Sequence, residues 1–297
     1  MFANLGCLRL INAFVQVGFK HAWVPVQSYF FSFNTPTWYL STQFALYLLF
    51  PLLIRNFRRN WPLKLLGAAL LVLACIWGAS GLELFSVKTI SGQGLLYVSP
   101  LCRGLEFVLG MAGGLLFSGK VAAYQPSRRT ATVAEVLALM LAVAAMAAGS
   151  PVSAWLGQLP GYGKALGFYM GFAGLSLLPF FLLIQIFALG RGWVSRVLAL
   201  PLFGWLGGIS FGIYMLHILL LHYYLYPVAL RPHTPHPPAE KILLYWVMLL
   251  MAAYCSQRFV ETPIKNGLGS FLKRWREKTP GQLTTEPEPL AQEPSAG

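Results

Sequence analysis

Aspartate is absent: all nine acidic residues among the 297 are glutamates. Every mechanism that needs an aspartate is therefore excluded. Charge of either sign is scarce. Charged residues make up 10% of the chain and apolar ones 57%, against about 25% and 45–50% in soluble domains. That balance excludes a soluble globular protein. Cysteine is rare as well. Cys7, Cys75, Cys102 and Cys255 stand far apart, the last three in apolar runs, with neither metal-ligand spacing nor a disulfide framework. The net charge of +13 does not make a nucleic-acid reader. Such a reader gathers its lysines and arginines on one face, and here they are scattered between apolar runs. No small-residue cleavage site follows the first, interrupted apolar run, so a cleavable signal peptide is not expected.

What the chain has in abundance is long uncharged stretches. A helix needs roughly 20 mostly apolar residues to cross a hydrocarbon core about 30 Å thick. Such runs fall at residues 37–54, 65–82, 99–118, 136–149, 165–190, 205–227 and 242–257. The third is broken only by Arg103 and Glu106. The last is short, but Lys241 and Arg258 flank it and can snorkel to the interface. The stretch Leu5–Trp23 leaves ten uncharged residues between Arg9 and Lys20, too few to span. The sequence thus predicts an all-α fold, a polytopic transmembrane helix bundle of seven spans, with a membrane-embedded domain over residues 1–276. Residues 277–297 are rich in proline and glutamate without aromatics, and a disordered tail is expected there. Just ahead of it, Ile264, Leu268, Phe271, Leu272 and Trp275 recur at helical spacing among lysines and arginines, the pattern of a short interfacial helix.

Lysine and arginine set the expected orientation. One set of alternate loops holds Arg55, Arg58, Arg59 and Lys64, then Lys120, Arg128 and Arg129, then Arg191 and Arg196, then five more after the last span. The other set holds Lys88, Lys164, Arg231 and Lys241. The first set, and with it the C-terminus, is expected to be cytoplasmic.

In a membrane the informative residue is the buried polar one. Arg103 and Glu106 lie three apart and share a helix face. Two readings stand: an ion pair joining two helices, or a substrate site near the water-accessible end at Pro100. In the sixth span Ser210, Tyr214 and His217 also share a face. His217 is either a hydrogen-bonded packing residue or a base, acid or donor titrating near neutrality. Gly204, Gly208 and Gly212 recur every four residues beside them, a small-residue stripe for close helix approach. His222 reads as part of an aromatic belt, and His233 with His236 as a loop pair. Trp38, Ser41 and Gln43 open the first span, as an interfacial tryptophan and a capped helix start. Pro51 and Pro179 are expected to kink their spans. Glu261 alone reads as a surface charge ahead of a proline stop at Pro263. No metal site is expected.

The order of four motifs carries a resemblance. Residues 34–52, with Trp38 and Pro51, resemble the first-span signature of the integral-membrane acyltransferase-3 family. Pro100-Leu-Cys-Arg103-Gly-Leu-Glu106-Phe-Val-Leu-Gly110 is similar to its Pro-Leu-x-Arg-x-x-Glu-Phe-x-x-Gly segment. Trp205-Leu-Gly-Gly-Ile-Ser210-Phe-Gly-Ile-Tyr214-Met-Leu-His217 resembles its penultimate-helix motif, and Phe259-Val-Glu261-Thr-Pro263 its closing Phe-x-Glu-x-Pro. Two departures stand out. Gln43 occupies the place of the family's glutamate, and Tyr39 follows Trp38 where the family has serine. The family's Arg-x10-His helix has only a loose counterpart in Arg9 and His21, so a chain short of the family's N-terminal helices is expected.

The resemblance implies an enzyme that moves an acyl group, commonly acetyl, from acyl-CoA to a hydroxyl of a sugar, glycolipid or cell-surface polysaccharide. It implies acyl-CoA as a donor substrate, with no bound cofactor, and a bacterial inner membrane as its setting. Carried over position by position, His217, Glu106 and Arg103 are the candidate catalytic residues. Trp38, Ser41, Gln43, Ser210, Tyr214 and Glu261 are the candidate substrate-binding ones. The alternative is a multi-pass transporter or flippase-like protein without chemistry.

Overall fold

A computed structural model describes residues 23, 34–85, 91–225 and 237–278. Apart from Trp23, Glu277 and Lys278, the expectations on Leu5–Trp23, His21, His233 with His236, and the Pro/Glu-rich tail lie outside the described residues.

Seven helices or continuous helical runs among the described residues are long and apolar enough to cross a membrane, in the order the apolar runs predict. The spans extend past those runs at several ends, because polar residues in the interface can continue a helix whose centre is apolar. The chain divides into two compact units, residues 1–206 and 207–297.

In the first unit, α1 (Thr37–Ile54) and α2 (Phe57–Gly81) are joined by a two-residue turn. Asn56 takes the left-handed conformation there, with φ of 53°, which a short polar side chain tolerates. Lys64 Nζ donates to the carbonyls of Leu53 at 2.6 Å and Arg55 at 2.5 Å, satisfying acceptors that the end of α1 leaves open. The third span begins with a π-helical turn, Gly94–Val98, breaks at extended Ser99, and continues as α3 (Pro100–Leu116). Ser99 Oγ accepts from the Leu101 amide at 3.3 Å. Proline at the first helical position suits this start, since its missing N–H would have had no partner.

The fourth span is α4 (Arg128–Leu156). The fifth comprises α5 (Gly163–Tyr169), a π-helical turn at Met170–Gly174 and α6 (Leu175–Ala188). Spans four and five meet through small residues. A Cβ added at Gly171 would lie 2.7 Å from Ser153 Cβ, and one at Gly167 would lie 2.5 Å from the Ser153 carbonyl oxygen. Without a hydrophobic drive between helices in lipid, such backbone approach is what holds spans together. Gly163, Gly167 and Gly171 form a second four-residue glycine stripe. The core of the unit joins spans two, three and five through Val72, Ile76, Leu96, Leu105, Ala165 and Tyr169. Leu66, Trp77, Leu137 and Leu178 are exposed, as lipid-facing positions should be. A six-residue helix, α7 (Trp193–Leu198), follows the left-handed Gly190.

The second unit takes most of α8 (Pro201–Leu220), which continues as a π-helical turn through Leu225, together with α9 (Ala239–Ser256) and α10 (Thr262–Lys278). Gly212 meets Ala253, whose Cα lies 3.1 Å from an added Cβ, and Gly208 meets Gln257. Gly204 has nothing within 4 Å of an added Cβ, so two members of that stripe make the close approach. Pro263 does not stop the helix. It falls in the first turn of α10, where proline costs little, after a π-helical turn at Gln257–Glu261 has opened the backbone. Ile264, Leu268 and Phe271 are exposed along α10 on the predicted interfacial face.

Candidate functional site

The break at Ser99 is what builds the site in the first unit. It leaves the Tyr97 carbonyl outside regular helix bonding, and Arg103 Nε donates to it at 2.7 Å. Arg103 Nη1 donates to Glu106 Oε1 at 2.5 Å, one turn along the same face. The guanidinium also lies 4.4 Å from the Tyr97 ring centre and 5.9 Å from that of Trp38. Those two rings pack on each other at 5.1 Å. Trp38 is therefore half of an aromatic platform under a cation rather than a lone interfacial residue. The Arg103 side chain is 15% exposed and that of Glu106 36%. Among the described residues, Glu106 Oε2 receives no hydrogen bond.

A cavity of about 320 Å³ opens beside the pair. Leu109 and Gly110 line it from α3, and Phe172, Ser176, Phe180 and Ile184 from the fifth span. Of the other first-span candidates, Ser41 is fully buried and Gln43 half-buried. Sequence reasoning missed Thr42 between them. Its Oγ1 donates to the Val98 carbonyl at 2.7 Å and lies 3.1 Å from the Trp38 carbonyl, the other acceptor within its reach. It thereby ties the first span to the turn that carries Tyr97. Tyr97 was missed as well: its role depends on a local break that hydropathy does not mark.

The remaining candidates belong to the second unit. His217 Nδ1 is 2.6 Å from the Tyr214 carbonyl oxygen. A carbonyl only accepts, so Nδ1 is the ring nitrogen that donates there. The Tyr214 and His217 rings are 5.8 Å apart, and Tyr245 Oη donates to the His217 carbonyl at 3.2 Å. Ser210 is exposed, and its hydroxyl donates to the Gly207 carbonyl at 2.8 Å. Glu261 is half-buried and accepts from Ser256 Oγ at 3.2 Å.

A further carboxylate escaped sequence reasoning. Glu135 of α4 is 1% exposed. It caps α7: the amides of Gly192 and Val194 donate to it at 3.0 Å and that of Ser195 at 3.2 Å. Ser195 Oγ donates to it as well, and Trp193 N donates to Thr132 Oγ1 at 3.0 Å. A carboxylate at a helix start satisfies orphan amides and meets the positive end of the helix dipole. A Cβ at position 192 would lie 2.0 Å from Glu135 Oε2, so a larger residue there would displace the carboxylate from the cap.

The fold and this site define a class: a polytopic helical membrane protein with a charged pair on an apolar cavity, the pair only partly satisfied. The particular family follows from comparison. The profile of the acyltransferase-3 family, described as an acyltransferase domain, matches residues 2–257. The chain belongs to that family and is a membrane acyltransferase. No curated protein and no solved structure matches it significantly.

Proposed function

We propose that this acyltransferase moves a short acyl group, commonly acetyl, from acyl-CoA to a hydroxyl of a carbohydrate acceptor. The observation that supports this most is the Arg103–Glu106 pair, held on one side by Tyr97 and Trp38 and open to a cavity on the other. In the transfer, the acceptor oxygen attacks the thioester carbonyl. A base takes the hydroxyl proton, the C–S bond breaks, an ester C–O bond forms, and the thiolate of CoA leaves and is protonated. Glu106 Oε2 accepts a hydrogen bond from the acceptor, and the spare donors of Arg103 stabilise charge developing on oxygen. Within the second unit His217 is the residue whose chemistry suits a base, since in the neutral ring the Nδ1–H bond to Tyr214 leaves Nε2 able to take a proton. The polar residues Trp38, Ser41, Gln43, Ser210, Tyr214 and Glu261 shape the acceptor and donor sites in this reading.

The donor is cytoplasmic, and the proposed orientation puts the C-terminus and the Arg55–Lys64 loop on that side. A cavity of about 560 Å³ lined by Asn56, Arg58 and Ser118 lies at that end of the first unit, suited to the anionic end of the donor. The orientation is checked with a cysteine at exposed Gln158, between spans four and five. An impermeant thiol reagent should label it in intact cells; labelling only after permeabilisation inverts the topology.

The function is tested with the purified chain in liposomes and radiolabelled acetyl-CoA, scanning carbohydrate acceptors for ester product. Transfer lost in His217→Ala supports the assignment. Undiminished transfer in that variant removes His217 as the base. Lack of transfer to every hydroxyl acceptor, with a folded protein, removes the reading.

A further inference from the structure

Cys75 and Cys102 are far apart in the sequence, and their spacing gives no reason to pair them. The fold does. Cys75 lies in the last third of α2 and Cys102 in the first turn of α3. Both are free and buried in the core that joins spans two, three and five. Their side chains hydrogen-bond to each other. Two thiols in contact across packed helices are a dithiol, separated from a disulfide by one two-electron oxidation. A third group completes the cluster. Tyr169 of α5 is 6% exposed, packs in the same core and lies within electrostatic reach of Cys102. Its ring rests against Gly174, where an added Cβ would stand 2.9 Å from Cε1. Its hydroxyl is buried without a hydrogen-bond partner. Such a hydroxyl costs the fold stability, so it marks a donor kept for a group that arrives from outside.

We propose that Cys75, Cys102 and Tyr169 form an oxidative modification site that takes a small organic hydroperoxide and closes to a Cys75–Cys102 disulfide. Cys75 is 8% exposed and Cys102 1%, so Cys75 meets the oxidant first. Its sulfur attacks a peroxide oxygen and the O–O bond breaks. The leaving oxygen takes the Cys75 proton and departs as alcohol, with the Tyr169 hydroxyl donating a hydrogen bond to it. Cys75 is then a sulfenic acid. The Cys102 sulfur displaces its hydroxyl, which leaves with the Cys102 proton as water. One hydroperoxide is thus reduced to alcohol and water while two thiols are oxidised to one disulfide. The new bond closes the sulfur contact to about 2.05 Å and clamps the first turn of α3, which carries Arg103, to α2. In the proposed orientation both thiols lie towards the outer side, where disulfides persist. None of these steps involves acyl transfer.

The test uses the full chain in nanodiscs with tert-butyl hydroperoxide, and reads thiols rather than turnover. Peptide mass spectrometry should find Cys75 joined to Cys102 with the loss of two hydrogens, and dithiothreitol should restore both thiols. Cys255, which is exposed, should stay open to a maleimide. Phenylarsine oxide, which bridges neighbouring thiols without oxidising them, should protect Cys75 and Cys102 together. Tyr169→Phe should melt no lower than the parent and still bind the arsenical, yet form the disulfide about tenfold more slowly. Cys102→Ser should stop at the Cys75 sulfenic acid, trapped with dimedone. Amide exchange around Arg103 should slow in the oxidised protein. Failure of the arsenical to bridge the pair, faster oxidation of Cys255 than of Cys75, or Cys75 joined to another cysteine overturns the site. Oxidation of Tyr169→Phe at the parental rate overturns the role of the hydroxyl. Unchanged exchange around Arg103 overturns the clamp.

Discussion

Glu106 and Glu135 are both carboxylates in membrane-spanning helices, and their surroundings differ in kind. Glu135 is 1% exposed and accepts from three amides and a hydroxyl. Glu106 has a side chain 36% exposed, pairs with Arg103 through Oε1, and lines a cavity. A saturated carboxylate has no lone pair to offer a substrate; its work is done once the chain folds. A half-satisfied one retains hydrogen-bonding capacity, and maintaining that in an apolar setting costs stability. Removing each should therefore damage different properties.

The largest effect is expected from Arg103→Met combined with Glu106→Leu. Replacing an ion pair with apolar groups of similar size is often neutral or stabilising, so the double variant should fold as well as the parent. Acyl transfer should fall about 10³-fold or more, as losing a preorganised charge-stabilising group does. Thermal melting in detergent and transfer from labelled acetyl-CoA give the two readouts. Full activity in the double variant would reduce the pair to a helix clamp.

Next comes Glu135→Gln, set against Glu106→Gln. At position 135 an amide nitrogen must face at least one backbone N–H, which only donates, and part of the cap on α7 is lost. A destabilisation of about 3 kcal/mol is expected, the cost of unsatisfied buried donors around a former charge. Activity should fall only with the folded fraction. At position 106 the amide oxygen can still accept from Arg103, and the nitrogen can turn to the cavity. Stability should change by about 1 kcal/mol or less, while activity drops. Gly192→Ala should mimic the Glu135 change, because its Cβ invades the same carboxylate. Denaturant midpoints for the four proteins check the ranking. Equal stability losses at 106 and 135 would erase the distinction drawn between them.

This contrast also explains what the sequence makes legible. The seven spans are visible because hydropathy is a one-dimensional signal set by the bilayer. Arg103 and Glu106 are visible because charge interrupts such a run, and three-residue spacing pairs them. Glu135 sits at the edge of the uncharged run that starts at Val136, so it reads as an ordinary helix-end charge. Its partners are 57 to 60 positions away, in a helix too short for periodicity to announce. Trp38 is visible as a motif residue, but its platform with Tyr97 is not, since that depends on the helix break at Ser99. The glycines show the same limit. Gly204, Gly208 and Gly212 look equivalent, yet only two of them meet a neighbour. The stripe Gly163, Gly167 and Gly171 packs closely along its whole length, and its spacing does not distinguish it from the first.

The smallest expected effect sharpens the comparison most, because it reaches Glu106 indirectly. Thr42 Oγ1 sits 2.7 Å from the Val98 carbonyl and 3.1 Å from that of Trp38, so it binds together the two segments that bear the platform for Arg103. Thr42→Val keeps the shape and removes the hydroxyl. The Val98 carbonyl then loses its partner, at a cost of about 1 kcal/mol, seen as a shift of a few degrees in melting. Arg103 keeps its bond to Glu106 but loses part of what fixes Tyr97 and Trp38. Catalytic geometry is sensitive to displacements of this size, so transfer should drop more than the folded fraction does. Thr42→Ser, which retains the hydroxyl, should restore it. If Thr42→Val melts earlier yet transfers at the parental rate, the aromatic platform holds the helices together and does nothing for the charge above it. If Thr42→Ser fails where Thr42→Val fails, the lost methyl and not the hydrogen bond is responsible.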